Sequence, residues 1–192
     1  GELGLPVFTK PANLGSSVGI RRVGHANELE AAIEHAFTFD GKVVVESGLL
    51  RPRELECPIL GGDVPRASVV GEVGITHEDG FYSYRAKYLD ETGSELSIPA
   101  ALTDAQAREV QALALATFAA LDAEGLARVD FFLDQHGELY VNEINTMPGF
   151  TASSMFPKLW EASGVSPRAL MNELINDELT RAGRRRSRRT TP

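Results

Sequence analysis

The sequence predicts an α+β chain in which antiparallel sheets carry flanking helices. Three observations predict it. Two strand-like runs, Leu126 to Leu133 and Glu138 to Asn145, are joined by Asp134-Gln135-His136-Gly137, whose turn chemistry closes an antiparallel hairpin. A second alternating run, Glu54 to Leu60, turns at Gly61-Gly62 and returns over Arg66 to Val70. Helical stripes, each opened by cap residues, lie near 27–37, 103–121 and 166–179.

In chain order, Leu5 to Lys10 predicts a strand ending on a lysine, and Pro11 to Ile20 a Gly/Ser loop. Backbone N–H groups in such a loop can cradle a phosphate, with Ser16 and Ser17 as added donors. An ordinary hairpin turn fits the loop as well, and Lys10 at its entrance adds weight to the first reading. The loop lacks P-loop spacing. Gly15-Ser16-Ser17-Val18-Gly19 fits a nucleophile elbow, but that motif needs a helix directly after the serine, and here a strand over Val18 to Val23 follows. His25, His35, His77 and His136 stand singly, without ligand spacing.

Asn27 and Glu30 fit a helix cap, followed by the stripe Leu29, Ala32, Ile33, Ala36 and Phe37. Val43 to Glu46 predicts a buried strand finishing on a carboxylate. Glu46 and Glu54 could accept bonds from an adenine amino group and a ribose, or could face solvent. Gly74 to Pro99 is long and polar, with Phe81, Tyr82, Tyr84, Arg85, Lys87 and Tyr88, and predicts a lid that excludes water from a ligand. Thr103 and Gln106 open a helix carrying Val110, Leu113, Thr117, Phe118 and Leu121, which Gly125 stops. A short helix spans Ser154 to Ala162, and Ser166-Pro167 starts a last one with Leu170, Met171, Leu174, Ile175 and Leu179.

Composition excludes several classes. The 192 residues bear a formal net charge of −8, yet the last twelve hold six arginines and no acid, so the remainder of the chain stands at −14. An acidic body argues against nucleic acid as a partner, and the arginine-rich end predicts a disordered basic tail over 181–192. Cys57 is the only cysteine, so no intrachain disulfide can form and a reducing cytoplasm suits the chain. Its place in an alternating run predicts a small core residue. No run approaches the ~20 apolar residues of a membrane span, which leaves no membrane partner expected. The start at Gly1 within structured-looking sequence predicts a fragment.

The chemistry concentrates on the hairpin. Strand alternation puts Arg128 with Asp130 on one face, and Glu143 with Asn145 on one face. If those faces coincide, three oxygen donors converge beside a guanidinium. Hard oxygen donors suit Mg²⁺, and a fixed arginine suits a carboxylate or phosphoryl oxygen. A merely solvated strand face is the bland alternative. It is weakened by the i, i+2 spacing of charges on adjacent strands, which run into the tight loop Thr146-Met147-Pro148-Gly149.

From LGLPVFTKPANLGSSVGI through VVVE, RELE, FYSYRAKY and GLARVDFF to NEINTMPGFTASSMFP, the chain resembles the D-alanine–D-alanine ligases of the ATP-grasp superfamily. The resemblance covers nearly the whole chain and corresponds to about the C-terminal half of such an enzyme. It implies an ATP-grasp fold without its N-terminal domain: a partial central subdomain over 1–70, and a C-terminal domain over 71–180 with an omega loop at about 74–99. It also implies roles at matching positions. Lys10, Ser16, Ser17, Val18, Glu46, Leu49, Glu54 and Lys87 would contact ATP. Asp130, Glu143 and Asn145 would hold two Mg²⁺, or Mn²⁺. Arg128 and Gly149 would flank the acyl phosphate, Tyr84, Ser154 and Met155 would contact the second substrate, and Tyr88 would pair with Ser16. The implied reaction joins two D-alanines through D-alanyl phosphate to make a peptidoglycan precursor. Ala86-Lys87-Tyr88 favours the dipeptide over a D-lactate product. A homodimer is implied for the full-length form. The alternatives are another ATP-grasp carboxylate–amine ligase and a non-catalytic nucleotide-binding module.

Overall fold

The computed structural model describes residues 3–75 and 94–187. The chain divides into two compact units, one of Gly1–Pro52 with Gly74–Glu95 and Asp134–Gly137, the other of Arg53–Val73 with Leu96–Leu133 and Glu138–Pro192.

The first unit is built on β1 (Val7–Pro11), which pairs antiparallel with both β2 (Arg21–Val23) and β3 (Val43–Ser47). Alternation along β1 buries Val7 and Thr9 and turns Phe8 and Lys10 the other way. Val7 and Val23 pack on Ala32 of α1 (Leu29–Phe37), and the Thr9 hydroxyl donates to the Ala32 carbonyl at 3.3 Å. Several local expectations shift. The second strand is shorter than Val18 to Val23, because turns occupy residues 16–19. The helix is entered through a 3-10 turn at Ala26–Glu28, where Glu28 caps the Gly24 and His25 N–H groups at 2.9 and 3.0 Å, in place of Asn27 and Glu30. Phe37 falls outside the buried stripe at 53% exposure. β3 is an edge strand and only half-buried, with Val44 exposed, where a buried strand was expected.

The second unit carries a sheet in the order β7-β6-β4-β8-β9, with the two-residue β5 (Arg66–Ala67) on β4. Its strands are β4 (Arg53–Leu60), β6 (Gly71–Ile75), β7 (Ser94–Ser97), β8 (Leu126–Leu133) and β9 (Leu139–Asn145). The ends of the expected lid therefore are strands; its middle, with Tyr84, Lys87 and Tyr88, lies outside the described residues. α2 (Asp104–Ala120) opens on the expected box, Thr103 with Gln106, and ends at Leu121, ahead of Gly125. Its Val110, Ala114 and Phe118 pack on Leu55, Cys57, Ile59, Val129, Phe131 and Leu133, one whole face of β4 and β8. Burying about a dozen such side chains at ~1.5–3 kcal/mol each is the main stabilising term of this layer.

The opposite face is covered by α3 (Met155–Ala162) and α4 (Pro167–Ser187). Phe156 and Trp160 of α3 and Leu170 of α4 join Leu60 in a second core. Gly71 is what lets α3 lie so close: a Cβ there would stand 2.5 Å from Met155 Cε and 2.9 Å from Leu159 Cδ2. On α4, Leu170 and Leu174 turn inward, whereas Met171, Ile175 and Leu179 of the expected stripe are exposed. The helix also runs through Ser187, into the stretch that composition assigns to a disordered tail. Arg181 pairs with Glu124 and Asp177, and Arg184 with Asp63, so ion pairs hold those arginines on the unit. None of the helices among the described residues is long and apolar enough to cross a membrane.

Candidate active site

The site forms on the β8–β9 hairpin because of one irregularity. From Arg128 to Asp130 the register pairs Arg128 with Asn145, Val129 with Ile144 and Asp130 with Glu143; from Phe131 onward it pairs Phe131 with Val141 and Leu133 with Leu139. Asn142 is the extra residue, a β-bulge. It switches the parity of β9. Leu139 and Ile144 both pack on the α2 side of the sheet although one is odd and the other even. Glu143 and Asn145 consequently share the face of Arg128 and Asp130.

The side chains meet there. Arg128 donates from Nε to Asp130 Oδ1 at 2.7 Å and from Nη2 to Oδ2 at 2.6 Å, a two-point fork. Asn145 Nδ2 donates to Asp130 Oδ2 at 2.9 Å and lies 3.4 Å from Glu143 Oε1. Burial works against the charge on Arg128, but hydrogen bonds to Asp130 and the charges of Asp130, Glu56 and Glu143 outweigh it and raise the guanidinium above its ordinary range. Arg128 therefore stays protonated at any working pH.

Glu56 is the member that sequence reasoning missed. It lies opposite Asp130 on β4, is 7% exposed, and has Oε2 at 3.2 Å from Arg128 Nε. In sequence it looks like the outward partner of Glu54, and its burial comes from α3 covering that face. Its one signal is a second carboxylate in phase with Glu54 within a run otherwise apolar, Leu55 to Leu60.

The donor set fits a divalent cation. Asp130 and Glu143 offer carboxylate oxygens, and a half-turn of the Asn145 amide would present Oδ1 where Nδ2 now stands. Two carboxylates plus an amide leave shell positions for water and phosphate, which suits Mg²⁺. No group of three or more His, Cys, Asp and Glu side chains disposed to hold a metal occurs among the described residues, so the set depends on the amide and on a ligand's own oxygens.

The other expected residues distribute as follows. Lys10 forms an ion pair with Glu46 across β1 and β3, so two of the expected nucleotide contacts already meet. Ser16 and Ser17 take φ of 55° and 59°, consecutive left-handed residues that cost of order 1–3 kcal/mol each. Val18 follows, its N–H bonded to the Gly15 carbonyl at 3.2 Å. Leu49 is half-buried just past β3, and Glu54 half-buried on β4. Gly149 packs against Ser154, whose Oγ would stand 2.9 Å from a Cβ there. Ser154 is the N-cap of α3 but its hydroxyl bonds back to Thr151 Oγ1 at 2.8 Å and accepts from the Thr151 N–H at 3.1 Å. Met155 is buried against Gly71, so its side chain serves packing and only its main chain is left for a ligand.

Comparison with known proteins places the chain in a family. A family model described as "D-ala D-ala ligase C-terminus" matches residues 1–176. The chain is 53% identical over 174 residues to a D-alanine–D-alanine ligase of Shouchella clausii, covering 91% of this chain and 46% of that protein. Among solved structures, a D-alanine–D-alanine ligase from Coxiella burnetii superposes with a TM-score of 0.80 at 34% identity, covering 94% of this chain and 47% of that one. The VanG D-Ala:D-Ser ligase from Enterococcus faecalis gives 0.81 at 35% identity, covering 91% and 50%. The chain spans about half the length of the curated relatives it matches.

Proposed function

The chain belongs to the D-Ala-D-Ala ligase C-terminal family and has its ATP-grasp fold, and from that premise we propose that it carries the ATP- and metal-binding part of a ligase that joins two D-alanines. The two compact units then correspond to the central and C-terminal subdomains of that fold. The observation that carries the proposal is the convergence of Asp130, Glu143 and Asn145 beside the Arg128 guanidinium.

In this reading Lys10, the Ser16-Ser17-Val18 turn, Glu46, Leu49, Glu54 and Lys87 contact ATP, the left-handed serines presenting N–H groups to phosphate. Asp130, Glu143 and Asn145 hold two Mg²⁺ ions, which when bound offset charge on the phosphates. The carboxylate of the first D-alanine attacks the γ-phosphorus, the bond to ADP breaks, and D-alanyl phosphate forms. The amine of the second D-alanine attacks the acyl carbon, loses a proton, and inorganic phosphate departs with the bridging oxygen. Negative charge accumulates in both steps, and Arg128 is built to meet it: always protonated and rigid. Gly149 and Ser154 mark the acceptor side, Tyr84 would contact the second substrate, and Tyr88 would pair with Ser16. A homodimer of the full-length protein belongs to the same proposal.

A coupled assay for ADP release by the full-length protein tests it. Release that requires D-alanine is the expected result. Release driven instead by another amino acid would make it a ligase of different acceptor. ATP binding without turnover would leave a nucleotide-binding module.

A further inference from the structure

We propose that Glu56 is a positioning residue that takes over the Arg128 guanidinium when Asp130 turns to a cation, an inference that rests on the metal reading above. Arg128 Nε lies 2.7 Å from Asp130 Oδ1 and 3.2 Å from Glu56 Oε2, and a single N–H can point along only one of those lines. In this structure it points at Asp130. A divalent ion at Asp130 competes for the same carboxylate oxygens, both of which the fork occupies. Arg128 would then lose its best partner while only 20% of its side chain is open to water, a costly state for a guanidinium.

Glu56 prevents that. It is held on β4 directly across from Asp130, and its Oε2 has no solvent exposure. Two carboxylates opposed on neighbouring strands repel each other, so their common counterion is what makes the pair tolerable. Moving the Nε–H from Asp130 to Glu56 needs a small rotation and keeps the guanidinium charged and placed. Glu143 and Asn145 face the same group from β9, but Asn145 donates to Asp130 and to Glu143, and both residues are themselves candidate ligands. Glu56 is the carboxylate beside Arg128 that the cation does not need.

The test is Mn²⁺ binding to the ADP complex of the full-length protein, read by electron paramagnetic resonance and corrected for Mn²⁺ on free nucleotide. It is run on wild type, Glu56→Gln, Arg128→Gln and the double variant. Partners of metal ligands typically alter affinity 10–100-fold, so Glu56→Gln should weaken Mn²⁺ about tenfold. If Glu56 acts through Arg128, the same substitution in the Arg128→Gln background should change affinity by no more than about twofold. An equal loss in both backgrounds, or no loss in wild type, would overturn the inference. If Glu56→Gln fails to fold and the double variant folds, the lost partner of Arg128 is the cause and the pairing stands; if both fail, Glu56 belongs to the fold and the inference falls. Wild-type protein that binds no Mn²⁺ would overturn the metal reading itself, a different result from Mn²⁺ binding that ignores Glu56.

Discussion

Asp130 holds the Arg128 guanidinium by two hydrogen bonds of 2.7 and 2.6 Å, and both residues come from alternate positions of the same strand. A fork this short between neighbours i and i+2 fixes the guanidinium against the sheet without help from a loop. Under the proposed metal binding, Asp130 would have two competing duties, counterion and metal ligand.

Asp130→Ala and Glu143→Ala should each abolish turnover and leave the fold intact. Glu143 is exposed, so its loss should change stability by no more than about 0.5 kcal/mol. Asp130 is 14% exposed and bonded to a charge, so its loss should cost about 1.5–3 kcal/mol. Urea unfolding alongside a steady-state assay checks both. Unfolded variants would mark the pair as structural, and active ones would remove them from the chemistry.

Much of this geometry is legible in the sequence, and the exceptions have causes. β8 occupies the residues its alternation indicates, and Cys57 is in the core as expected. The bulge at Asn142 is not legible by strict alternation, although apolar residues at 139, 141 and 144 break one parity and could have signalled it. Glu56 is hidden because its burial depends on α3, a hundred residues downstream. The arginines of α4 look structureless because their partners, Asp63 and Glu124, are remote in sequence.

Lys10 and Glu46 form a second pair whose substitution should separate binding from stability. Surface pairs contribute ~0–1 kcal/mol, so Lys10→Gln should leave the unfolding midpoint nearly unchanged. The KM for ATP should rise several-fold. Unaltered ATP kinetics would show that Lys10 serves only its partner on β3.

Gly71 sets the distance between β6 and α3. Gly71→Val should cost about 1–3 kcal/mol, because Leu159 and Met155 already occupy the space a side chain needs. The displaced helix start should also impair the proposed acceptor step, since Ser154 is the N-cap residue of α3. A Gly71→Val protein of wild-type stability would contradict the close packing described.

Cys57 gives a pH prediction. Burial pushes its thiol from 9.0 up to about 12. Between those values the unfolded chain has lost the proton and the folded chain has kept it, so folding takes up a proton and stability falls as pH rises. The loss begins near pH 9, reaches about 1.4 kcal/mol per pH unit, and is absent well below pH 9. Unfolding free energies at pH 8 and 10.5 should therefore fall more for wild type than for Cys57→Ala. Native protein at pH 8 should also resist iodoacetamide; rapid labelling would contradict the burial.

In the proposed function, this part of the molecule activates a carboxylate as an acyl phosphate beside Arg128. The most direct measurement supplies the full-length protein with ATP, Mg²⁺ and D-alanine labelled with ¹⁸O in its carboxylate, and weighs the phosphate released. Each inorganic phosphate should carry one ¹⁸O, brought over as the bridging oxygen, and replacement of Asp130 should leave no labelled phosphate. Dipeptide formed with unlabelled phosphate would contradict it.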